Sequence, residues 1–133
     1  MDYKFRQRKT EDTSSKPTRY FSSRQEEAVA NAVRGRRTPN SGATAYSKGD
    51  VTEGDRTGWL IECKTCTKDQ KTFTMHEAWF KKNIEESIYM KKDHTAVVFN
   101  FGPDKPNYYV LDERTFLAMK EALEHYKPDD DEY

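Results

Sequence analysis

The residues with the most chemistry to offer are Asp50, Glu62 and Lys64. Glu62 and Lys64 end the run Trp59-Leu60-Ile61-Glu62-Cys63-Lys64, which reads as a β-strand. Alternation puts Trp59, Ile61 and Cys63 on one face and Leu60, Glu62 and Lys64 on the other. A carboxylate and an ammonium rarely end an apolar strand without a partner or a task. From the strand alone, a salt bridge at a fraying end explains them equally well. Asp50 tips the balance. It lies in Ser47-Lys48-Gly49-Asp50-Val51, and the turn-rich Glu53-Gly54-Asp55-Arg56-Thr57-Gly58 can bring the chain back beside it. Adjacent strands lie about 4.8 Å apart, close enough for Asp50 and Glu62 to share one hard cation. Magnesium takes such oxygen ligands and keeps several waters, one of which can become a nucleophile. Lys64 could position that water or neutralise charge building on a phosphate. These are the parts that phosphodiester hydrolysis needs.

Positioning them requires a sheet and helices to back it. The spacing of Val29, Ala30 and Val33 predicts a first helix over residues 23–34, opened by a Ser23–Glu26 capping box and closed by Gly35. Residues 36–45 read as loop or a weak edge strand, and Tyr46 to Thr52 as a short extended segment. Trp59 to Thr65 is the clearest strand, with a further short strand expected at Lys71–Thr74. A helix over 76–92 would bury Ala78, Trp79, Ile84, Ile88 and Tyr89. Strands at Thr95–Phe101 and Tyr108–Leu111 follow, joined by a Gly102-Pro103-Asp104 turn. A last helix at 113–126 offers Phe116, Leu117, Met119, Leu123 and Tyr126 as its apolar face. The order implies an α/β (α+β) fold, a mixed sheet flanked by helices.

Composition limits what such a fold can be. At 133 residues there is room for one domain, expected at 21–127 between a flexible basic arm (1–20) and an acidic tail (128–133). Hydrophobic residues make up 34% and charged residues 35%, so the core must be thin and partly aromatic. No apolar run is long enough for a membrane span or a signal peptide, which points to a cytoplasmic, intracellular protein without membrane contact. Charge is zero overall but uneven. Residues 1–48 balance at +6, 49–111 at −1 and 112–133 at −5. A basic front half suits a phosphate-rich partner, and equally a disordered basic arm. Cys63 and Cys66 form a C-x-x-C pair, but no paired histidine spacing completes a zinc site.

The run Asn40-Ser41-Gly42-Ala43 … Lys48-Gly49-Asp50-Val51 … Trp59-Leu60-Ile61-Glu62-Cys63-Lys64-Thr65 resembles the PD-(D/E)XK nuclease superfamily. Within it, the chain is similar to archaeal-type and phage Holliday-junction resolvase-like endonucleases. The likeness covers roughly residues 22–101, with Gly49 where the family has its nominal proline. It implies a restriction-endonuclease-like core and an acidic residue on the first helix. Glu26 fills that place better than Glu27, because it shares the inward face of Val29, Ala30 and Val33; its other role would be capping Ser23. The resemblance further implies a metal held by Asp50, Glu62 and the backbone carbonyl of Cys63, with Glu26 contributing directly or through water.

The function so implied is an Mg2+-dependent DNA endonuclease (Mn2+ substituting), with branched DNA, a Holliday junction foremost, as substrate. A junction has near two-fold symmetry, so the enzyme is expected to be a homodimer. Arg36, Arg37, Lys48, Lys68 and Lys71 flank the site and would hold the DNA backbone without reading sequence; for any one of them, a solvated loop surface is the plainer role. Two other readings stay open. One is a nuclease of the same fold acting on linear, flapped or site-specific duplex DNA. The other is a catalytically inactive DNA-binding or assembly protein.

Overall fold

The computed structural model describes residues 16–38, 50–54 and 58–128. Within them, three helices and a five-stranded mixed sheet form an α/β fold. The sheet runs β1 (Arg36–Arg37), β2 (Val51–Glu53), β3 (Trp59–Lys64), β4 (His94–Phe99), β5 (Tyr108–Val110) in spatial as in chain order. Every neighbouring pair is antiparallel except β3 and β4, which are parallel from Trp59↔His94 to Lys64↔Phe99. A parallel pair needs a crossover, and α2 (Glu77–Tyr89) supplies it.

The first helix, α1 (Thr18–Val33), starts before the expected Ser23, with Pro17 as its N-cap. Phe21 explains the extra turn. It is buried, and with Gln25 and Val29 it makes an inward row four residues apart. Ser23 therefore lies inside the helix, and the Ser23–Glu26 capping box does not form. At the other end Arg34 takes a left-handed conformation (φ 57°), and the Gly35 N–H reaches back to the Ala30 carbonyl at 2.8 Å. Gly35 is needed for closeness rather than φ: a Cβ there would lie 2.4 Å from the Thr52 carbonyl oxygen.

The sheet divides its side chains as alternation predicts. Ile61 and Cys63 join Val29, Ala30, Val51, Ala96 and Val98 in the core under α1. On the opposite face, the Lys64 ammonium lies over the Trp79 ring of α2. Two expectations are corrected here. Lys71–Thr74 forms no strand; Phe73 instead sets its ring 5.1 Å from Phe99 and 6.2 Å from Trp79, which anchors the segment without a ladder. On α2, Ala78, Ile84, Ile88 and Tyr89 are exposed and Trp79 is half-buried, while Asn83, Glu86 and Ser87 face the sheet. The polar face wins because Asn83 donates to the Leu60 and Ala96 carbonyls at 3.4 and 3.2 Å, bridging β3 and β4. On α3 (Glu113–His125), capped by the Asp112 carboxylate on the Thr115 N–H, no residue is buried. Among the described residues, no helix is long and apolar enough to cross a membrane.

Candidate metal and phosphodiester site

Asp50 and Glu62 meet because β2 and β3 are antiparallel. Val51 is opposite Ile61, so the next positions outward, Asp50 and Glu62, face one another across the pair. The Asp50 N–H donates to the Ile61 carbonyl at 3.2 Å, and its carboxylate turns back to accept the Cys63 N–H at 2.7 Å. Glu62 is 7% exposed. The Lys64 ammonium is 3.4 Å away and 4.6 Å from the Trp79 ring centroid. Lys64 is therefore held from two sides, by a carboxylate and by an aromatic face.

Crowding sets the electrostatics. Burial, then the Asp50 charge, push the Glu62 carboxyl up to about 7, against the opposing pull of Lys64 and Lys82. The same two causes raise Glu26, partly offset by Arg37 and Arg19. The Cys63 thiol is raised by burial and by all three carboxylates, Asp50, Glu26 and Glu62. This thiol stays protonated and unreactive, while its backbone sits at the centre of the acidic group.

Glu26 is half-buried and Glu27 exposed, so Glu26 is the helix carboxylate that reaches this region. It leans on Arg37 of β1, with 3.8 Å between the charged atoms. Among the described residues, no three His, Cys, Asp or Glu side chains stand close enough to hold a metal by themselves. The Asp50–Glu62 pair fits a hard cation on other grounds. Both groups are oxygen donors, the Asp50 charge raises Glu62 despite Lys64, and magnesium often takes only one or two carboxylates, completing its shell with water and phosphate oxygens.

The expected DNA-backbone residues divide. Arg36 and Arg37 are exposed on β1, beside Asp50, whose carbonyl accepts the Thr38 N–H at 3.0 Å. Lys68 and Lys71 are exposed in the connection after β3. Lys48 lies outside the described residues. The His76 ring packs at a tilt against Trp79, and the His94 ring against Trp59.

Sequence reasoning missed the polar residues that fix the site's frame. Gln25, buried on α1, donates to the Lys64 carbonyl at 2.6 Å and to Asn107 at 3.4 Å. Asn100 accepts from Thr65 at 2.9 Å and from the Gly102 N–H at 3.2 Å, and donates to Asn107 at 3.2 Å. Together they tie α1 and the ends of β3 and β4 around Lys64. A signal existed for Gln25, a polar residue midway in the Phe21–Val29 row. Gln25→Ala is expected to cost about 1–3 kcal/mol, since it leaves the part-buried Lys64 carbonyl without that donor. Urea unfolding would read this, and a loss below the range would mean water replaces the amide.

Comparison of the chain with protein-family models, with curated proteins and with solved structures finds no match.

Proposed function

We propose that the chain is a metal-dependent DNA endonuclease of the PD-(D/E)XK kind, built on a restriction-endonuclease-like core. The observation that carries this reading is the Asp50–Glu62 pair facing across two strands, with Lys64 held 3.4 Å from Glu62 and Glu62 pushed up to about 7. Two crowded carboxylates and a fixed ammonium at one strand end weaken a fold unless a cation and an anionic substrate join them.

Asp50, Glu62 and the Cys63 carbonyl would hold Mg2+ or Mn2+, with Glu26 acting through water. The metal, when bound, supplies Lewis acidity and a water of lowered pKa. Lys64, braced by Trp79, stands ready to orient the nucleophile or offset charge on the phosphate. Arg36 and Arg37 on the edge strand, with Lys48, Lys68 and Lys71, would contact backbone phosphates and set the DNA's position. The substrate we favour is branched DNA inside the cell, a four-way junction above all, cut by a symmetric homodimer.

The test is cleavage of a labelled four-way junction beside a linear duplex of matched sequence, with Mg2+ and with chelator. Paired symmetric nicks confined to the junction, and lost with chelator, are the expected result. Equal cutting of both substrates would keep the nuclease and discard the junction. Binding without cutting would leave an inactive DNA-binding protein.

A further inference from the structure

A recess of about 130 Å³ lies between α1 and the loops that follow β3 and β4. Crevices beyond the carboxyl ends of parallel strands are where open α/β sheets take ligands. The polar wall of this one is neutral. Gln25, Asn100 and Asn107 contribute amides and Thr65 a hydroxyl, against an apolar side of Phe21 and Pro103. Its exposed cations are already paired, Arg24 with Asp104 at 2.5 Å and Lys105 with Asp69 at 3.8 Å. Gln25 and Asn100 are 4% and 5% exposed, so their polar atoms need partners in the protein or in a ligand. The network they form is incomplete. Asn107 Oδ1 accepts from Gln25 at 3.4 Å and from Asn100 at 3.2 Å, which settles which way its amide faces. The two N–H groups of that amide have no partner among the described residues. Gln25 gives its N–H groups to Asn107 and the Lys64 carbonyl, and its Oε1 is likewise without a partner. An open acceptor and an open donor therefore stand on two adjoining amides. The terminal torsion of a glutamine is broad, so a small turn presents Oε1 to the recess.

We propose, on the DNA-endonuclease reading above, that this recess seats one unpaired base of the DNA strand held at the metal site. The pairing edge of every base sets a donor beside an acceptor, and that edge is free only when the base has left its partner. The base would donate to Gln25 Oε1 and accept from Asn107, with Phe21 and Pro103 against its apolar surface. Asparagine and glutamine read adenine in the same two-bond manner. A phosphate fits less well, because the wall is neutral and both cations are engaged. The volume is well short of the roughly 300–1,000 Å³ of a drug-sized ligand site, which suits a single base. Position ties the recess to the chemistry: Thr65 follows Lys64 in the chain, and Gln25 holds the Lys64 carbonyl at 2.6 Å. A base at a branch or flap enters at little cost, whereas a duplex base must first be unpaired and unstacked. The recess thus senses branching without reading sequence.

The first probe is a nucleoside without metal, so that base binding is read apart from cleavage. Titrating the full chain with deoxyadenosine or thymidine is expected to shift the side-chain amide NMR signals of Gln25 and Asn107, and deoxyribose should not. Ala28→Phe fills the recess from an exposed helix position and should weaken nucleoside binding about tenfold or more, with the circular dichroism spectrum unchanged. Asn107→Asp keeps the oxygen that Gln25 and Asn100 use, removes both donors, and should weaken binding about tenfold. On DNA in chelator, the native chain should prefer a duplex with one unpaired base over the fully paired duplex by about tenfold, and Ala28→Phe should erase that preference. Amide signals unmoved up to the solubility limit of the nucleosides overturn the proposal. So does an equal response to deoxyribose, or an Ala28→Phe chain that binds nucleosides or unpaired bases as the native one does. Failure of the nuclease reading would appear separately, as nucleoside binding intact with no DNA cut.

Discussion

Glu62→Gln is expected to abolish metal-dependent cleavage while making the metal-free protein more stable above neutral pH. Glutamine keeps the shape of the side chain and removes the charge that would bind the cation. Loss of one electrostatic contact to a transition state commonly costs 10²–10³ in rate, and loss of a metal ligand should cost on the order of 10³-fold or more. The stability effect runs the other way. The Glu62 carboxyl rises from an ordinary 4.5 to about 7 on folding. Below 4.5 it is protonated in both states and has no effect. Between 4.5 and 7 the folded chain holds a proton that the unfolded chain releases, so stability falls as pH rises. Above 7 the penalty is complete, roughly 3 kcal/mol at most from a shift of this size. Urea unfolding at pH 5 and pH 8 should show the native chain losing stability across that window and the glutamine variant losing less, the remainder coming from Glu26, whose carboxyl is also raised. Saturating Mg2+ should restore the native chain alone. A variant less stable at pH 8 would mean that the pairing with Lys64 outweighs the crowding, and the case for a cation would weaken.

The parts of this site that follow period-2 alternation were legible without coordinates. The strand Trp59–Lys64, the burial of Cys63 beneath α1 and the sharing of one face by Glu62 and Lys64 all follow from a single rule, and the sheet keeps it. Asp50 was placeable because a turn-rich segment of fixed length joins its strand to that of Glu62. Helix phase was harder to read. Counting apolar residues turns α2 toward Ile84 and Ile88, whereas Asn83 decides the orientation through hydrogen bonds to two strands that are distant in sequence. The start of α1 was misjudged for a related reason: Phe21 is one isolated apolar residue in a polar stretch, and only the sheet opposite gives it somewhere to go. The exposure of α3 had no local signature at all. Its amphipathic pattern is that of a buried helix, and nothing in the chain itself says whether the covering surface is its own or another molecule's.

Asp50→Asn and Asp50→Ala should separate two duties that one carboxylate performs. Both substitutions remove the charge, so both are expected to lower cleavage by on the order of 10³-fold, comparable to the change at Glu62. They differ in the fold. The Cys63 N–H donates to the Asp50 carboxylate at 2.7 Å, and asparagine can still accept that bond through its amide oxygen. Alanine cannot, and the part-buried N–H left without a partner should cost about 1–3 kcal/mol. Either change also removes the charge that, after burial, most raises Glu62, so the Glu62 carboxyl should fall toward its ordinary value. Metal binding reports this directly. A cation must displace the proton from Glu62, so affinity in the native chain should climb with pH and level off above about 7. In the asparagine variant whatever weak affinity remains should level off at a lower pH. Calorimetric titration with Mn2+ between pH 5 and 8 would measure both curves. Coincident midpoints would mean that Asp50 does not act on Glu62, which would remove the pair as the basis of the site. A lower midpoint together with lost cleavage would tie the raised carboxyl, the facing strands and the chemistry to a single electrostatic cause.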